Sequence, residues 1–224
     1  MASPTTLSLA VCLFDQVTAL DYQGPIELLG FLDPNNIKPG VPTPSYLLKM
    51  TYLARTLEPI KATAGPRALA DRTYDEVAEG EQFDLILVPG GQGARPERVP
   101  SSLLEFLKRQ APDAKHVLSV CTGSWILARA GLLQGKNATT NKSVFKAVEN
   151  TRGYDIDWIP KARFVVNDDK KIWTSSGVTA GVDMANAFLE YLVGKEAVLR
   201  IRGIVELSAK EEGDDEFAEY YHLL

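Results

Sequence analysis

The chain has 224 residues, of which 45% are hydrophobic and 24% are charged, and its formal net charge at pH 7 is -5. This composition predicts one large folded domain with a sizeable core and argues against disorder. Because phosphate binding needs clustered positive charge, a net acidic chain with scattered Lys and Arg is not expected to bind nucleic acid. No apolar run approaches the roughly 20 residues of a membrane-spanning helix, so no membrane partner is expected.

The chain contains two cysteines, Cys12 and Cys121, and two histidines, His116 and His222. Two cysteines are too few for a disulfide framework, and the N-terminus lacks the basic-then-apolar pattern of a secretory signal. A reduced, cytoplasmic location is therefore expected. Since the sequence has no Cys-x-x-Cys pair and no histidine cluster, no metal site is predicted.

Short apolar runs alternate with helical patterns along the chain. Runs rich in Val, Leu and Ile predict strands at Leu7–Phe14, Tyr46–Ala54, Phe83–Val88, His116–Val120, Phe164–Val166 and Ile172–Thr174. Helical spacing predicts helices at Pro25–Leu32, Ser101–Gln110, Gly123–Leu133, Ser143–Thr151, Ala180–Val193 and Glu196–Ser208. This alternation predicts an α/β fold, a parallel sheet with helices on both faces. The binding crevice of such a sheet lies beyond the carboxyl ends of its strands.

Two segments fall outside this alternation. The proline-rich stretch Pro34–Pro44 is expected to be a loop, and the acidic stretch Glu211–Glu219 a solvated run of charge. We therefore expect a single domain over residues 1–224, with a core at about 7–208 and an acidic C-terminal tail at 209–224.

The best candidate for a catalytic residue is Cys121, which stands between a predicted buried strand and a predicted helix, with Gly123 two positions on. A nucleophile in so tight a turn is held out of the sheet, an arrangement called a nucleophile elbow. The amides and the dipole at the start of the following helix should lower the pKa of the thiol. The alternative is a buried structural cysteine, which is the expectation for Cys12 inside its predicted strand.

A second strand end carries Pro89-Gly90-Gly91, whose backbone amides no side chain obstructs. The amide of Gly91, together with that of Thr122, is a candidate oxyanion hole facing Cys121. A glycine pair alone is weak evidence, because tight turns also require glycine.

Four segments together resemble the ThiJ/PfpI superfamily, whose fold is like that of class I glutamine amidotransferases. They are VPGG at Val88–Gly91, SVCTGSWILARAGLL at Ser119–Leu133, TTN at Thr139–Asn141 and SSGVTAGVDMA at Ser175–Ala185. The LD-x-x-GP-x-E pattern at Leu20–Glu27, with Cys-Thr-Gly at the elbow, resembles the branch that contains isonitrile hydratases and the sensor-like domains of AraC-type regulators. The resemblance implies a single flavodoxin-like domain that forms a homodimer and acts on a small molecule without a cofactor.

Superfamily members of the protease and glyoxalase types place a histidine after or beside the cysteine, whereas Thr122 follows it here. His116 begins the strand that leads to the elbow, roughly 15 Å away at strand rise, so a Cys-His-Asp hydrolase is not expected. The resemblance aligns Asp21 with the acidic residue that approaches the sulfur, where a neighbouring thiolate should raise its pKa. Asp21 as a helix N-cap is the alternative, and Asp15 and Glu27 are weaker candidates for the acid.

These residues lead to isonitrile hydration as a hypothesis. The Cys121 thiolate attacks the terminal carbon while Asp21 supplies a proton, which gives a covalent thioimidate. Water, oriented by Asp21 or Thr122, then adds and releases an N-substituted formamide. Thr122 contributes its amide and its hydroxyl, or else it simply caps the helix that follows.

The sequence alone is also compatible with other functions. An exposed thiol of low pKa would also suit a redox sensor or a stress-protective protein. A glyoxalase-type enzyme acting on 2-oxoaldehydes is a further alternative. A transcription regulator is less expected, because the chain ends soon after Ser208, without room for a helix-turn-helix module of about 100 residues.

Overall fold

The structure is a computed structural model that describes residues 3–36, 38, 40–42, 44–167 and 169–224. The strands are β1 Thr5–Cys12, β2 Tyr46–Ala54, β3 Arg72–Thr73, β4 Leu85–Val88, β5 His116–Ser119, β6 Lys136–Ala138, β7 Ile156–Trp158, β8 Phe164–Val166 and β9 Ile172–Ser175. The helices are α1 Ala19–Leu29, α2 Ser101–Gln110, α3 Gly123–Arg129, α4 Phe145–Glu149, α5 Ala180–Val193, α6 Lys195–Val205 and α7 Phe217–Tyr220.

Seven strands form one sheet in the order β3-β2-β1-β4-β5-β9-β8, and β6 pairs with β7 beside it. Every neighbouring pair in the large sheet is parallel except β8 and β9, which run antiparallel. The predicted α/β class is confirmed, with β8 as an antiparallel edge strand. Such an edge is common on otherwise parallel sheets.

The central strand β4 is apolar along its whole length because helices cover both sides of the sheet. All four residues of β4 are 0% exposed. Helix α5 packs against α1 and α6, whereas α2 packs against α3. Gly24 lets α1 approach α5 closely, since a Cβ at that position would lie 2.7 Å from Cγ2 of Val182. None of the helices in the described part of the chain combines the length and apolar character that crossing a bilayer requires.

Helix α1 begins at Ala19, so the prediction that a helix starts at Pro25 is wrong. Proline is common in the first turn of a helix, where its missing amide costs nothing. In the structure Pro25 lies inside the helix and Asp21 lies in its first turn. The earlier start fixes Asp21 on regular backbone facing the sheet.

The proline-rich segment Pro34–Pro44 includes Ile37, Pro39 and Thr43, which lie outside the described residues. Its described residues form turns and bends rather than helix or strand.

The expected solvated run Glu211–Glu219 has exposed side chains at every acidic position except Asp215. Asp215 is 7% exposed and Ala218 is fully buried. The carboxyl of Asp215 accepts from the amides of Phe217 and Ala218 at 2.9 and 2.8 Å, and thereby caps α7. The segment is therefore anchored at Asp215 and Ala218, while its other acidic side chains stay in contact with solvent.

Candidate active site

The candidate nucleophile Cys121 follows β5 and lies two residues before α3 begins. Its φ is 59°, in the left-handed region that residues with a side chain seldom adopt. The Cys121 amide donates to the carbonyl oxygens of Ser175 and Ser176, at 3.2 and 2.9 Å. Its own carbonyl oxygen accepts from the hydroxyls of Ser124 and Thr140, each at 3.1 Å. These four bonds hold the strained backbone in place.

Glycine is required immediately after the turn. A Cβ on Gly123 would collide with the carbonyl oxygen of Val88, the last residue of β4. The close approach of the elbow backbone to the end of β4 therefore explains why glycine follows the Cys-Thr pair.

Four groups surround the Cys121 sulfur. Nδ2 of Asn141 donates to Sγ at 3.2 Å, and the backbone amides of Thr122 and Val178 also donate to it. The Asp21 carboxyl is within hydrogen-bonding reach of the thiol. Because Cys121 is only 5% exposed, a reactant must approach through a narrow opening.

Burial, followed by the negative charge of Asp21, raises the pKa of the Cys121 thiol to about 12. The amides of Asn141, Thr122 and Val178 lower it by less than these two effects raise it. The Thr122 amide at the start of α3 lowers this pKa as expected, but the expected thiolate does not result, because burial and the charge of Asp21 raise the pKa by more. The resting form of Cys121 is the neutral thiol.

Asp21 lies in the first turn of α1 and is 0% exposed. Its Oδ2 accepts from the Gly90 amide at 3.0 Å, so it does not act as a helix N-cap. Its Oδ1 is buried without a regular hydrogen bond from any residue that the structure describes. Burial raises the pKa of Asp21 to about 7, against the lowering effects of the Gly90 amide and the Cys121 thiol. This carboxyl can therefore gain and lose a proton near neutral pH.

Thr122 forms a two-way contact with Gly91. Its hydroxyl oxygen accepts from the Gly91 amide at 2.9 Å and lies 3.2 Å from the Gly91 carbonyl oxygen, to which it donates. The Thr122 side chain makes no cap bond to α3. The Gly91 amide thus donates to the Thr122 hydroxyl in this structure, and its role as an oxyanion donor stays a prediction. The backbone amide of Thr122, in contrast, faces the sulfur.

Asn141 is a site residue that the sequence interpretation missed. Its Oδ1 accepts from the amide and the hydroxyl of Ser143, at 2.9 and 2.6 Å. These bonds fix the side chain with Nδ2 towards Cys121. The signal was present in the Thr-Thr-Asn segment, but nothing in the spacing connects that segment with the elbow.

The other titratable candidates lie apart from the sulfur. Oδ1 of Asp15 accepts from the Lys61 amide, and Glu27 is exposed on α1. His116 is half-buried at the start of β5, with Nδ1 2.7 Å from the carbonyl oxygen of Lys170. His222 is exposed, and neither histidine contributes to the pKa of the candidate thiol.

Cys12, the second cysteine, is fully buried in β1, and burial raises its pKa far above the ordinary value. It belongs to the core, as expected from its strand.

Comparison with known proteins yields consistent matches. The model of the DJ-1/PfpI family matches residues 8–191. An isonitrile hydratase of Pseudomonas putida is 33% identical over 188 residues, which cover 84% of this chain and 73% of that protein. A deglycase of Thermococcus kodakarensis is 32% identical over 106 residues, which cover 47% of this chain and 59% of that protein.

The fold has a close counterpart among solved structures. A ThiJ/PfpI family protein from Pseudomonas syringae superposes with a TM-score of 0.75 at 24% identity, covering 93% of this chain and 78% of that one. At this identity the likeness establishes the shared fold.

Proposed function

This chain belongs to the DJ-1/PfpI family, and we propose that it is a cofactor-free isonitrile hydratase, which converts an isonitrile and water into an N-substituted formamide. The observation that carries the proposal is the pairing of a nearly buried thiol, Cys121, with a carboxyl, Asp21, whose pKa is about 7. The similarity to an isonitrile hydratase over 84% of the chain supports the same reaction.

The first step forms a covalent thioimidate. Ionised Asp21 accepts the thiol proton as the Cys121 sulfur attacks the terminal isonitrile carbon, so the sulfur need not be ionised beforehand. The carbon–sulfur bond leaves an electron pair on that carbon, which takes the proton back from Asp21. The product is R–N=CH–S–Cys121, and Asp21 is again a carboxylate.

The second step releases the formamide. Asp21 accepts a proton from water as the water oxygen adds to the thioimidate carbon, and Asp21 then passes that proton to the nitrogen. The carbon–sulfur bond then breaks and the carbonyl forms. The nitrogen keeps one hydrogen of the water and the Cys121 sulfur regains the other, giving R–NH–CHO and the starting thiol. The amides of Thr122 and Val178 and Nδ2 of Asn141 stabilise the sulfur as it carries negative charge.

The narrow access to the sulfur favours an isonitrile over the alternative substrates. An isonitrile presents its reacting carbon at the tip of a linear group, which can reach a thiol that is 5% exposed. A glycated protein side chain is far bulkier. A redox sensor requires an accessible thiol of low pKa, whereas burial raises the pKa of Cys121. A glyoxalase-type reaction would also have to proceed without a histidine at the sulfur.

The test is formamide production from simple alkyl and aryl isonitriles by the purified protein, followed by chromatography. We expect formamide from the wild type and none above background from Cys121→Ala or Cys121→Ser. Cys12→Ala is the matched control, because it removes the other thiol and should leave turnover intact.

Methylglyoxal and hydrogen peroxide are run in parallel. Consumption of methylglyoxal without any formamide would overturn the proposal in favour of a glyoxalase-type enzyme. Undiminished formamide production by both Cys121 variants would remove the covalent mechanism.

A further inference from the structure

A cavity of about 220 Å³ adjoins the Cys121 site. Its inner wall includes Asn141, Ser176 and Val178, and each of these residues also contacts Cys121. Cys121 does not itself line the cavity, but through Asn141 the cavity is the adjacent space that could hold the rest of a molecule bound at the sulfur.

The outer wall of the cavity comes from the C-terminal segment. Phe217 opens α7 and Tyr221 follows it, and their side chains line the cavity while remaining 42% and 39% exposed. Asp215 holds α7 in position, because its Oδ2 lies 3.5 Å from Nζ of Lys142 in an ion pair whose side chains are 0% and 2% exposed. The two aromatic residues are thus anchored to the same segment that carries Asn141.

The two cations that line the cavity are each neutralised. Lys142 pairs with Asp215, and Nε of Arg163 lies 2.7 Å from Oδ2 of Asp183. Nη2 of Arg163 also donates to the Thr179 hydroxyl at 2.9 Å. Since each positive charge has its own buried carboxylate, the wall offers no uncompensated charge to an ionic ligand.

We propose that Phe217 and Tyr221 are specificity-determining residues that select isonitriles with an uncharged aryl or arylalkyl substituent, an inference that rests on the proposed hydration. The isonitrile carbon reaches Cys121 past Asn141, and the aromatic substituent packs against the two rings in the cavity. Aromatic side chains favour offset or edge-to-face packing with another ring, which an alkyl group cannot reproduce.

The test uses binding of the expected products, so that it is independent of turnover. Calorimetry measures the Kd of N-benzylformamide and N-methylformamide for the wild type, Phe217→Ala and Tyr221→Ala. We expect about 10-fold tighter binding of the benzyl compound to the wild type, and a loss of about 3- to 10-fold in each variant. Tyr191→Ala is the matched control, because it removes a ring that is 51% exposed and packs against His116 at the other end of β5.

Three results would overturn the role of the two rings. They are equal binding of both formamides by the wild type, an equal loss in Tyr191→Ala, and a change of oligomeric state in place of a change in binding. Tighter binding of N-(4-carboxybenzyl)formamide than of the neutral compound would refute selection for an uncharged group. A protein that binds N-benzylformamide selectively but never turns over isonitriles would refute the hydratase proposal alone.

Discussion

Asp21 and Cys121 form a pair in which the carboxyl, rather than the thiol, titrates near neutrality. Burial raises the pKa of Asp21 to about 7, while burial and the charge of Asp21 raise that of Cys121 to about 12. Between these values the pair holds one proton, and that proton resides on sulfur. The pair therefore works as an acid–base unit that exchanges a single proton, and the proposed chemistry needs no preformed thiolate.

Asp21→Asn tests this exchange. The amide keeps the shape of the side chain but cannot accept the thiol proton, so we expect kcat/KM for isonitrile hydration to fall by about 10²-fold or more. The pKa of Cys121 should fall at the same time, because the neighbouring charge is gone. Formamide assays and the ultraviolet absorbance of the thiolate measure the two effects. A variant that keeps full turnover would show that Asp21 takes no part in the chemistry.

Asp21 also predicts how stability depends on pH. Its pKa rises from 3.8 to about 7 on folding, so between these values the folded state holds a proton that the unfolded chain has lost. The contribution of this group to stability therefore falls as pH rises from about 4 to about 7, by on the order of 4 kcal/mol.

Urea unfolding of the wild type and Asp21→Asn at about pH 5 and about pH 8 measures this effect. The variant should gain stability relative to the wild type at the higher pH. An equal difference at both pH values would contradict the raised pKa.

Thr122→Val tests the contact between Thr122 and Gly91. Valine has the same shape as threonine but no hydroxyl, so the Gly91 amide loses the acceptor at 2.9 Å. We expect a loss of about 1–2 kcal/mol in the free energy of unfolding and a lower kcat. Thr122→Ser keeps the hydroxyl and should behave nearly as the wild type. Equal losses in both variants would assign the effect to packing of the methyl group.

Gly90→Ala tests how closely the backbone at Gly90 approaches Thr122 and Asp21 at the site. The new Cβ would lie 2.5 Å from the Thr122 nitrogen and 3.0 Å from Oδ2 of Asp21, and neither can move freely. Turnover should fall by at least about 10-fold and stability by about 1–3 kcal/mol. Gly203→Ala in α6 is the control, because the added methyl group would meet no other part of the described chain within 4 Å. That change should stabilise the helix by about 0.5–1 kcal/mol.

Lys142→Met tests the anchor of the C-terminal segment. The change leaves Asp215 buried without its cation, which should cost about 3–5 kcal/mol. Limited proteolysis should then cut segment 209–224 faster than in the wild type. The double variant Lys142→Met/Asp215→Asn should recover part of the stability, since asparagine can still cap α7. If the double variant recovers no stability, the Lys142–Asp215 ion pair is not what holds segment 209–224 in place.

Much of the fold could be predicted because long buried elements carry their own periodicity. The predicted bounds of β2, α2, β8 and α5 are confirmed to the residue. Strands β3, β6 and β7 were missed because their short segments, RT, KNA and IDW, lack the apolar run that marks the equally short β8, FVV. Their pairing depends on contacts with distant parts of the chain.

A site residue could be predicted only where one local sequence pattern indicates both the residue and its place in the fold. Cys121 stands out by its place between strand and helix, and Asp21 by its resemblance to a family pattern. Asn141 and the engaged Gly91 amide depend on which loops meet at the end of the sheet, which spacing does not encode. The raised pKa of Cys121 follows from burial, a property of the folded molecule.

The position of α7 has a practical consequence for handling the protein. Tyr221 lines the cavity beside the site, so an affinity tag fused directly after α7 would lie next to that cavity. A tag placed ahead of β1 would instead emerge at the opposite edge of the sheet, because the site lies at the carboxyl ends of the parallel strands. An affinity tag ahead of β1 is therefore expected to disturb the cavity less than one that follows α7.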